Sequence, residues 1–287
     1  IVDTGVDGQS FPSDRRAGEW ADGGANAWED SLGHGTMAAL IAAASTKHNG
    51  FDGVAPAAKI FSLKPKSGPT GGLQGTSILI GLDYLLGSNL DQAIANQSWG
   101  IVGCNMPRIA CQMIPARLVS RMNQGIITVW AAGNNRASCS PSSTGTLWGL
   151  NSLPSSISVG ALDRELKPQS YSSPGPGQCF PFHPTLMAPT FGVLPWGRGY
   201  RNFGKQGGAT SSCAPQVSGA LALMMTLYPK ADNRLLRNAL RIGANSRLLP
   251  GPPIPYNPLT GFGMLQIKNS IEAIASAAVH PYYWLMP

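Results

Sequence analysis

An acid, an imidazole and a hydroxyl stand in three motifs far apart along the chain. They are Asp3-Thr4-Gly5-Val6-Asp7, Gly33-His34-Gly35-Thr36 and Ala209-Thr210-Ser211-Ser212-Cys213-Ala214-Pro215. A serine hydroxyl is a weak nucleophile and needs an adjacent base. Imidazole suits that task because it titrates near neutrality. A carboxylate then fixes the imidazole tautomer and stabilises its protonated form. Asp3, His34 and Ser211 together therefore spell nucleophilic catalysis. Singly, each has an ordinary reading: a turn aspartate before Gly5, a helix-capping histidine, an N-cap serine. The conjunction carries the reading.

Such groups need a frame that brings them together. Short apolar runs alternate with helix-like stretches, the rhythm of βαβ units and a parallel sheet. Ile1-Val2 reads as a strand end. Strands are expected at Lys59 to Leu63, Ala93 to Trp99, Ile126 to Ala132 and Ser156 to Leu162. The run Ile126-Ile127-Thr128-Val129-Trp130 is apolar enough for a strand buried on both faces. Helices are expected at His34 to Ala44, Thr76 to Leu86, Ala116 to Asn123, Pro215 to Tyr228, Asn233 to Arg241 and Ile267 to Ala278. In an open parallel sheet, sites gather at the carboxyl ends of strands. Asp3 follows a strand, and His34 and Ser211 each open a helix, so all three can converge on one edge.

The three motifs resemble the signature motifs of the subtilisin-like serine protease family (the subtilases), in that family's order of Asp, His, Ser. The resemblance implies an α/β chain with the three-layer subtilisin-like fold, a central, mostly parallel β-sheet flanked by helices. It implies a serine endopeptidase with Asp3, His34 and Ser211 as catalytic residues. Ala131-Ala132-Gly133-Asn134 resembles the segment whose Asn side-chain amide donates to the oxyanion, which assigns that role to Asn134. Asn96-Gln97-Ser98-Trp99-Gly100 resembles the substrate-binding strand, whose backbone pairs with an extended peptide. Substrate contacts are thus expected at Ser98, Trp99 and Gly100, with Gly71, Gly72 and Leu73 as the opposing wall. The segment Thr144 to Pro154 is expected to line the main pocket, with Trp148 narrowing or flooring it for an apolar or aromatic side chain. Gly53-Val54-Ala55-Pro56, Val159-Gly160-Ala161, Tyr171-Ser172-Ser173, Met187-Ala188-Pro189 and Gly261-Phe262-Gly263 extend the resemblance over almost the whole chain.

Four positions depart from the family pattern. Ala209 replaces a Gly near the nucleophile, adding a Cβ that tightens the backbone there. Met37 and Gln216 stand where His is common, and Cys213 where Ala is usual. None removes a catalytic group. Cys213 as an alternative nucleophile is disfavoured, because two residues along a helix point to a different face. Two rival readings remain: a transpeptidase or macrocyclase on the same scaffold, and a catalytically inactive binding module. No helical insertion near His34 offers the lid a macrocyclase would use.

The 287 residues, 43% hydrophobic and 12% charged, suffice for one large packed domain. A single catalytic domain over 1–287 is expected, as a monomer. The abrupt start, with a motif at Asp3, leads to the expectation that the domain's beginning lies upstream. The net charge of +7 is scattered, with no nucleic-acid signature. No apolar run reaches the roughly 18 residues that span a membrane. Five cysteines, Cys104, Cys111, Cys139, Cys179 and Cys213, favour two loop disulfides and one free thiol, with pairing open. Five thiols in a reducing compartment is the alternative.

No cofactor is expected and no zinc pattern is present. The family often binds calcium, but the loop from Ala44 to Gly53 offers few oxygen ligands and a lysine, so no strong site is expected there. Polypeptide substrates, an upstream inhibitory prosegment and export are implied by the resemblance.

Overall fold

The computed structural model describes residues 1–68, 72–88, 90, 93–100, 111–112, 116, 118–119, 125–136, 147, 149–196, 199–202, 207–247 and 256–279. Parallel strands β3 (Ala93–Gln97), β4 (Ile126–Ala131), β5 (Ile157–Leu162) and β6 (Leu186–Pro189) lie side by side in that order. Strands β1 (Arg16–Ala21) and β2 (Ile60–Lys64) form a second parallel pair. Ile1 to Asp3 joins the two groups. Val2 N–H donates to the Asn96 carbonyl at 3.1 Å, and Asp3 N–H to the Leu63 carbonyl at 3.0 Å. The expected strand end at Ile1-Val2 is thus a bridge between β2 and β3.

Both faces of the sheet are covered. Every residue of β4 and β5 is buried, as strands sandwiched between layers require. On one face lie α4 (Ala214–Leu227), α5 (Asn233–Gly243) and α6 (Ile267–Val279), whose Val217, Leu221, Leu236, Leu240 and Ile274 pack on Ile127, Val129 and Val159. On the other lies α3 (Gly75–Gly87), with Ile78, Leu82 and Leu85 against Leu63, Ala95 and Trp130. This is the three-layer α/β arrangement. A short antiparallel hairpin, β7 (Val193–Trp196) and β8 (Gly199–Asn202), leads towards the serine motif.

Helix α1 (His34–Ala43) and the single turn α2 (Thr46–Asn49) follow β1 in the chain. Helix α1 packs against α4 and against the Thr210–Ser212 turn that precedes α4. Close approach is set by Gly219, where an added Cβ would stand 2.6 Å from Val54 Cβ and 2.9 Å from the Ala42 carbonyl. Helix α5 starts where Asp232 accepts a hydrogen bond from Leu235 N–H at 2.7 Å, an N-cap satisfying an orphan donor. Pro215 sits in the first turn of α4, where its missing N–H costs nothing.

Among the described residues, the limits of the expected helices and strands fall within two residues of those read from the sequence. The Ala93 strand stops at Gln97, before Ser98-Trp99. Ser211 lies in a 3-10 turn, and the α-helix begins three residues later at Ala214. Of the helix expected at Ala116 to Asn123, only Ala116, Leu118 and Val119 are described, all helical. Strands β1, β6, β7 and β8 were not anticipated.

Cys111 and Cys179 form a disulfide across 68 residues. Cys104 and Cys139 lie outside the described residues. Cys213 is a buried free thiol, pushed far up from its ordinary pKa by that burial. In the Ala44 to Gly53 loop, Asp52 accepts from Thr46 N–H and Asn49 Oδ1 from Ser45 N–H. Those oxygens serve the loop's own backbone and do not fit a calcium cage. Among the described residues no cluster of His, Cys, Asp and Glu could hold a metal ion.

Candidate active site

Several of the residues singled out in the sequence stand at the carboxyl ends of the parallel strands. Asp3 follows the Ile1-Val2 bridge, Ser98 follows β3, and Gly133-Asn134 follows β4. Asp3 is buried. Its Oδ1 accepts from Thr4 N–H at 2.8 Å and lies 2.7 Å from His34 Nδ1. A carboxylate at Nδ1 holds the proton there and presents Nε2 as the basic atom.

His34 opens α1 directly over the Asp3 turn. Two glycines permit this contact. A Cβ on Gly35 would fall 2.1 Å from the Gly5 carbonyl, and a Cβ on Gly5, at φ +109°, would fall 2.4 Å from the Glu29 carbonyl. A side chain at Gly35 would push the two motifs apart, and one at Gly5 would push the aspartate turn off the Glu29 backbone.

The pKa of His34 stands above its ordinary value. Burial alone pulls it down; the charge of Asp3, its hydrogen bond and the charge of Asp30 together outweigh that effect. Asp30 was not singled out in the sequence. Its signal was an acid just before a helix start.

Ser211 lies in the turn packed against α1. Its hydroxyl donates to the Ser98 carbonyl at 2.9 Å. Asn134 is anchored on the preceding residue: its Oδ1 accepts from Thr210 N–H at 3.0 Å and from Thr210 Oγ1 at 2.9 Å. An amide N–H needs an oxygen opposite it, so the orientation of the Asn134 side chain follows from the network. Nδ2 is thereby left for another acceptor beside Ser211.

The expected substrate strand is more inward than a peptide-binding edge needs. The Ser98 side chain is buried, with its hydroxyl donating to the Ser211 carbonyl at 2.9 Å. The Trp99 ring packs edge-on to Trp130, with centroids 5.1 Å apart, so its side chain belongs to the core. Gly100 is exposed. In the expected opposing wall, Leu73 bridges Ser67, and the Gly72 carbonyl accepts from Gly68 N–H at 2.7 Å, forming a small turn of chain. Gly71 and Trp148 lie outside the described residues. Within the expected pocket segment, Asn151 is the notable side chain. Its Nδ2 donates to the Ala131 carbonyl at 2.6 Å and stands 2.9 Å from where a Gly100 Cβ would be. It is thereby anchored to the end of β4 and packs close against the Gly100 backbone.

A serine–histidine contact of structural character lies between Ser158 and His183. Ser158 Oγ lies 2.7 Å from His183 Nδ1, and His183 Nε2 lies 3.0 Å from the Leu153 carbonyl. Both side chains are fully buried. Burial pulls the His183 pKa down to about 3, so the ring is neutral and serves as a structural tie.

Comparison with known proteins gives a consistent picture. The family described as the Subtilase family matches residues 1–258. Subtilisin E of Bacillus subtilis (strain 168) is 30% identical over 244 residues, which cover 84% of this chain and 58% of that protein. Subtilisin of Bacillus pumilus is 30% identical over 244 residues, covering 84% of this chain and 80% of that protein. The chain thus spans 58% of the length of the first relatives it matches. Among solved structures, fervidolysin from Fervidobacterium pennivorans superposes with a TM-score of 0.67 at 22% identity, covering 94% of this chain and 41% of that one. A cold adapted subtilisin-like serine proteinase gives 0.66 at 20% identity, covering 92% and 85%. At these identities the structural likeness concerns the fold.

Proposed function

Since the chain belongs to the subtilase family, we propose that it is a serine endopeptidase working through an acyl-enzyme. Ser211 Oγ attacks the peptide carbonyl while His34 Nε2 takes its proton. Asp3 holds the imidazole tautomer and balances the imidazolium. Asn134 Nδ2 and the Ser211 N–H receive the oxyanion, the latter favoured by the positive end of α4. His34 then returns the proton to the leaving amine, and water releases the acyl group by the reverse sequence.

The observation that carries this reading is the 2.7 Å contact between a buried carboxylate and Nδ1 of a histidine whose helix packs on the Ser211 turn. The anchoring of Asn134 on Thr210 supports the oxyanion role. Substrates are polypeptides bound in extended form along Ser98 to Gly100, through backbone atoms rather than the inward side chains. An inhibitory prosegment fits the same family expectation. The Cys111–Cys179 disulfide favours an oxidising compartment, hence export. No helix among the described residues is long and apolar enough to cross a membrane.

A fluorophosphonate probe tests the proposal. The folded protein should form a covalent adduct at Ser211, and Ser211→Ala should not. Absence of an adduct in folded wild-type protein would overturn catalysis in favour of a binding module. Mass spectrometry of peptide products should show hydrolysis.

A further inference from the structure

We infer that Asp30 is a positioning residue for the Asp3–His34 pair, its carboxylate being the centre of a brace that locks the two motifs together. The inference rests on the endopeptidase reading above and deepens it.

The geometry is a crossed pair of relays. Asp30 Oδ1 accepts from Thr4 Oγ1 at 2.8 Å and from Gly33 N–H at 2.9 Å. Asp30 Oδ2 accepts from Thr36 N–H at 2.8 Å and from Thr36 Oγ1 at 2.7 Å. Each threonine hydroxyl then accepts from the opposite motif. Thr4, next to Asp3, accepts from Gly35 N–H at 3.1 Å, next to His34. Thr36, on the histidine helix, accepts from Asp7 N–H at 2.9 Å, on the aspartate turn. Both of these links between the motifs therefore pass through a hydroxyl whose own proton is committed to Asp30.

The chemistry requires an ionised acid. Only a carboxylate accepts at both oxygens with no donor of its own. An asparagine would set an NH₂ against Thr36 N–H or Gly33 N–H. The location also suits a charge, since the N-cap of α1 is Gly33, which has no side chain to cap it. Asp30 and Thr4 take the orphan N–H groups instead, and negative charge at that end is favourable.

Asp30 further acts on the imidazolium. Among the described residues, Asp3 and Asp30 both favour the charged His34 ring. Around them, the Asp7 carboxylate accepts from Ser10, and the Lys64 ammonium donates to the Asn26 and Glu29 carbonyls. Glu29 accepts from Asn26. Removing the Asp30 charge leaves Asp3 as the partner of the ring.

The test uses the full chain and two sets of variants. Peptide hydrolysis is measured against pH, fluorophosphonate labelling is followed, and His34 is titrated by NMR. Asp30→Asn should lower kcat about 10- to 100-fold with little change in KM, since displacing a reacting group by about 1 Å can cost about 100-fold. It should also move both the His34 titration and the acid limb of kcat/KM to lower pH. Thr4→Val keeps the Asp30 charge but breaks one relay; kcat should fall while the limb stays, and Thr4→Ser should restore the rate. If Asp30→Asn does not fold, the Thr4 pair decides: wild-type kcat in Thr4→Val overturns the inference. A folded Asp30→Asn with wild-type kcat, or with reduced kcat and an unmoved His34 titration, overturns it too. Failure of the endopeptidase reading looks different: wild-type protein neither labels nor cleaves, yet the His34 titration still shifts in Asp30→Asn.

Discussion

Ser98 and Ser211 hold each other reciprocally: each hydroxyl donates to the other's backbone carbonyl, both at 2.9 Å across 113 residues of chain. The pair ties the end of β3 to the turn before α4. It is extended inward, because Ser98 Oγ accepts from Asn96 Nδ2 at 2.8 Å and Asn96 Oδ1 accepts from Ser218 Oγ at 3.0 Å. The network thus runs from the sheet into the helix behind the nucleophile. It also sets a requirement for catalysis. The Ser211 proton points at the Ser98 carbonyl, so the side chain must rotate to offer it to His34.

Ser98→Ala strips a donor from the Ser211 carbonyl and an acceptor from Asn96, both in buried surroundings. Each such loss costs about 1–3 kcal/mol. Denaturant unfolding should show a stability loss of that order, and fluorophosphonate labelling of Ser211 should slow. An unchanged unfolding midpoint would show that the reciprocal pair contributes nothing to the fold.

The raised pKa of His34 fixes the sign of the pH dependence. The base must be neutral to take the Ser211 proton, so kcat/KM should rise with pH through a limb whose midpoint lies above 6.5, the ordinary histidine value. Stability runs the other way. The folded-state pKa is raised, so the stabilisation from the Asp3–His34 pair is complete below pH 6.5 and is lost as pH rises through the His34 pKa. A pH profile with its acid midpoint at or below 6.5 would contradict the Asp3 pairing.

Asn134→Ala removes the side-chain amide proposed to receive the oxyanion while leaving the Ser211, His34 and Asp3 side chains unchanged. The expected outcome is a fall of about 10²–10³ in kcat with KM little changed, the magnitude that loss of the oxyanion asparagine has in subtilisin itself. Steady-state kinetics on one peptide substrate settle it. Because Asn134 is exposed, the variant should fold, and an equal loss in a folding assay would point to an anchoring role instead.

Ala209 occupies φ +58° and ψ −170°, a region open in practice only to glycine. Such strain costs about 1–3 kcal/mol. Glycine relieves it but brings about 0.5–1 kcal/mol of added chain entropy to lose on folding. Ala209→Gly should therefore stabilise the protein by about 1 kcal/mol in denaturant unfolding at constant m value. Equal or lower stability would show that the backbone there is not strained.

The chain's own order of residues determined much of this protein. The three motifs, the apolar runs of β4 and β5 and the amphipathic pattern of α5 were legible because each reflects a local fact: a residue type, or a burial period of about two or 3.6. Even the oddity at Ala209 was visible as a Cβ where glycine is usual. Other features came only with tertiary structure. Arg16 to Ala21 lacks a strand's apolar run and is extended because β2 lies beside it. The short β6 ends at Pro189 and is held by pairing with β5. The Cys111–Cys179 partnership, the inward turn of Ser98 and the four donors on Asp30 depend on which distant segments meet. Periodicity reports which face of an element is buried; it carries no record of what that face is buried against.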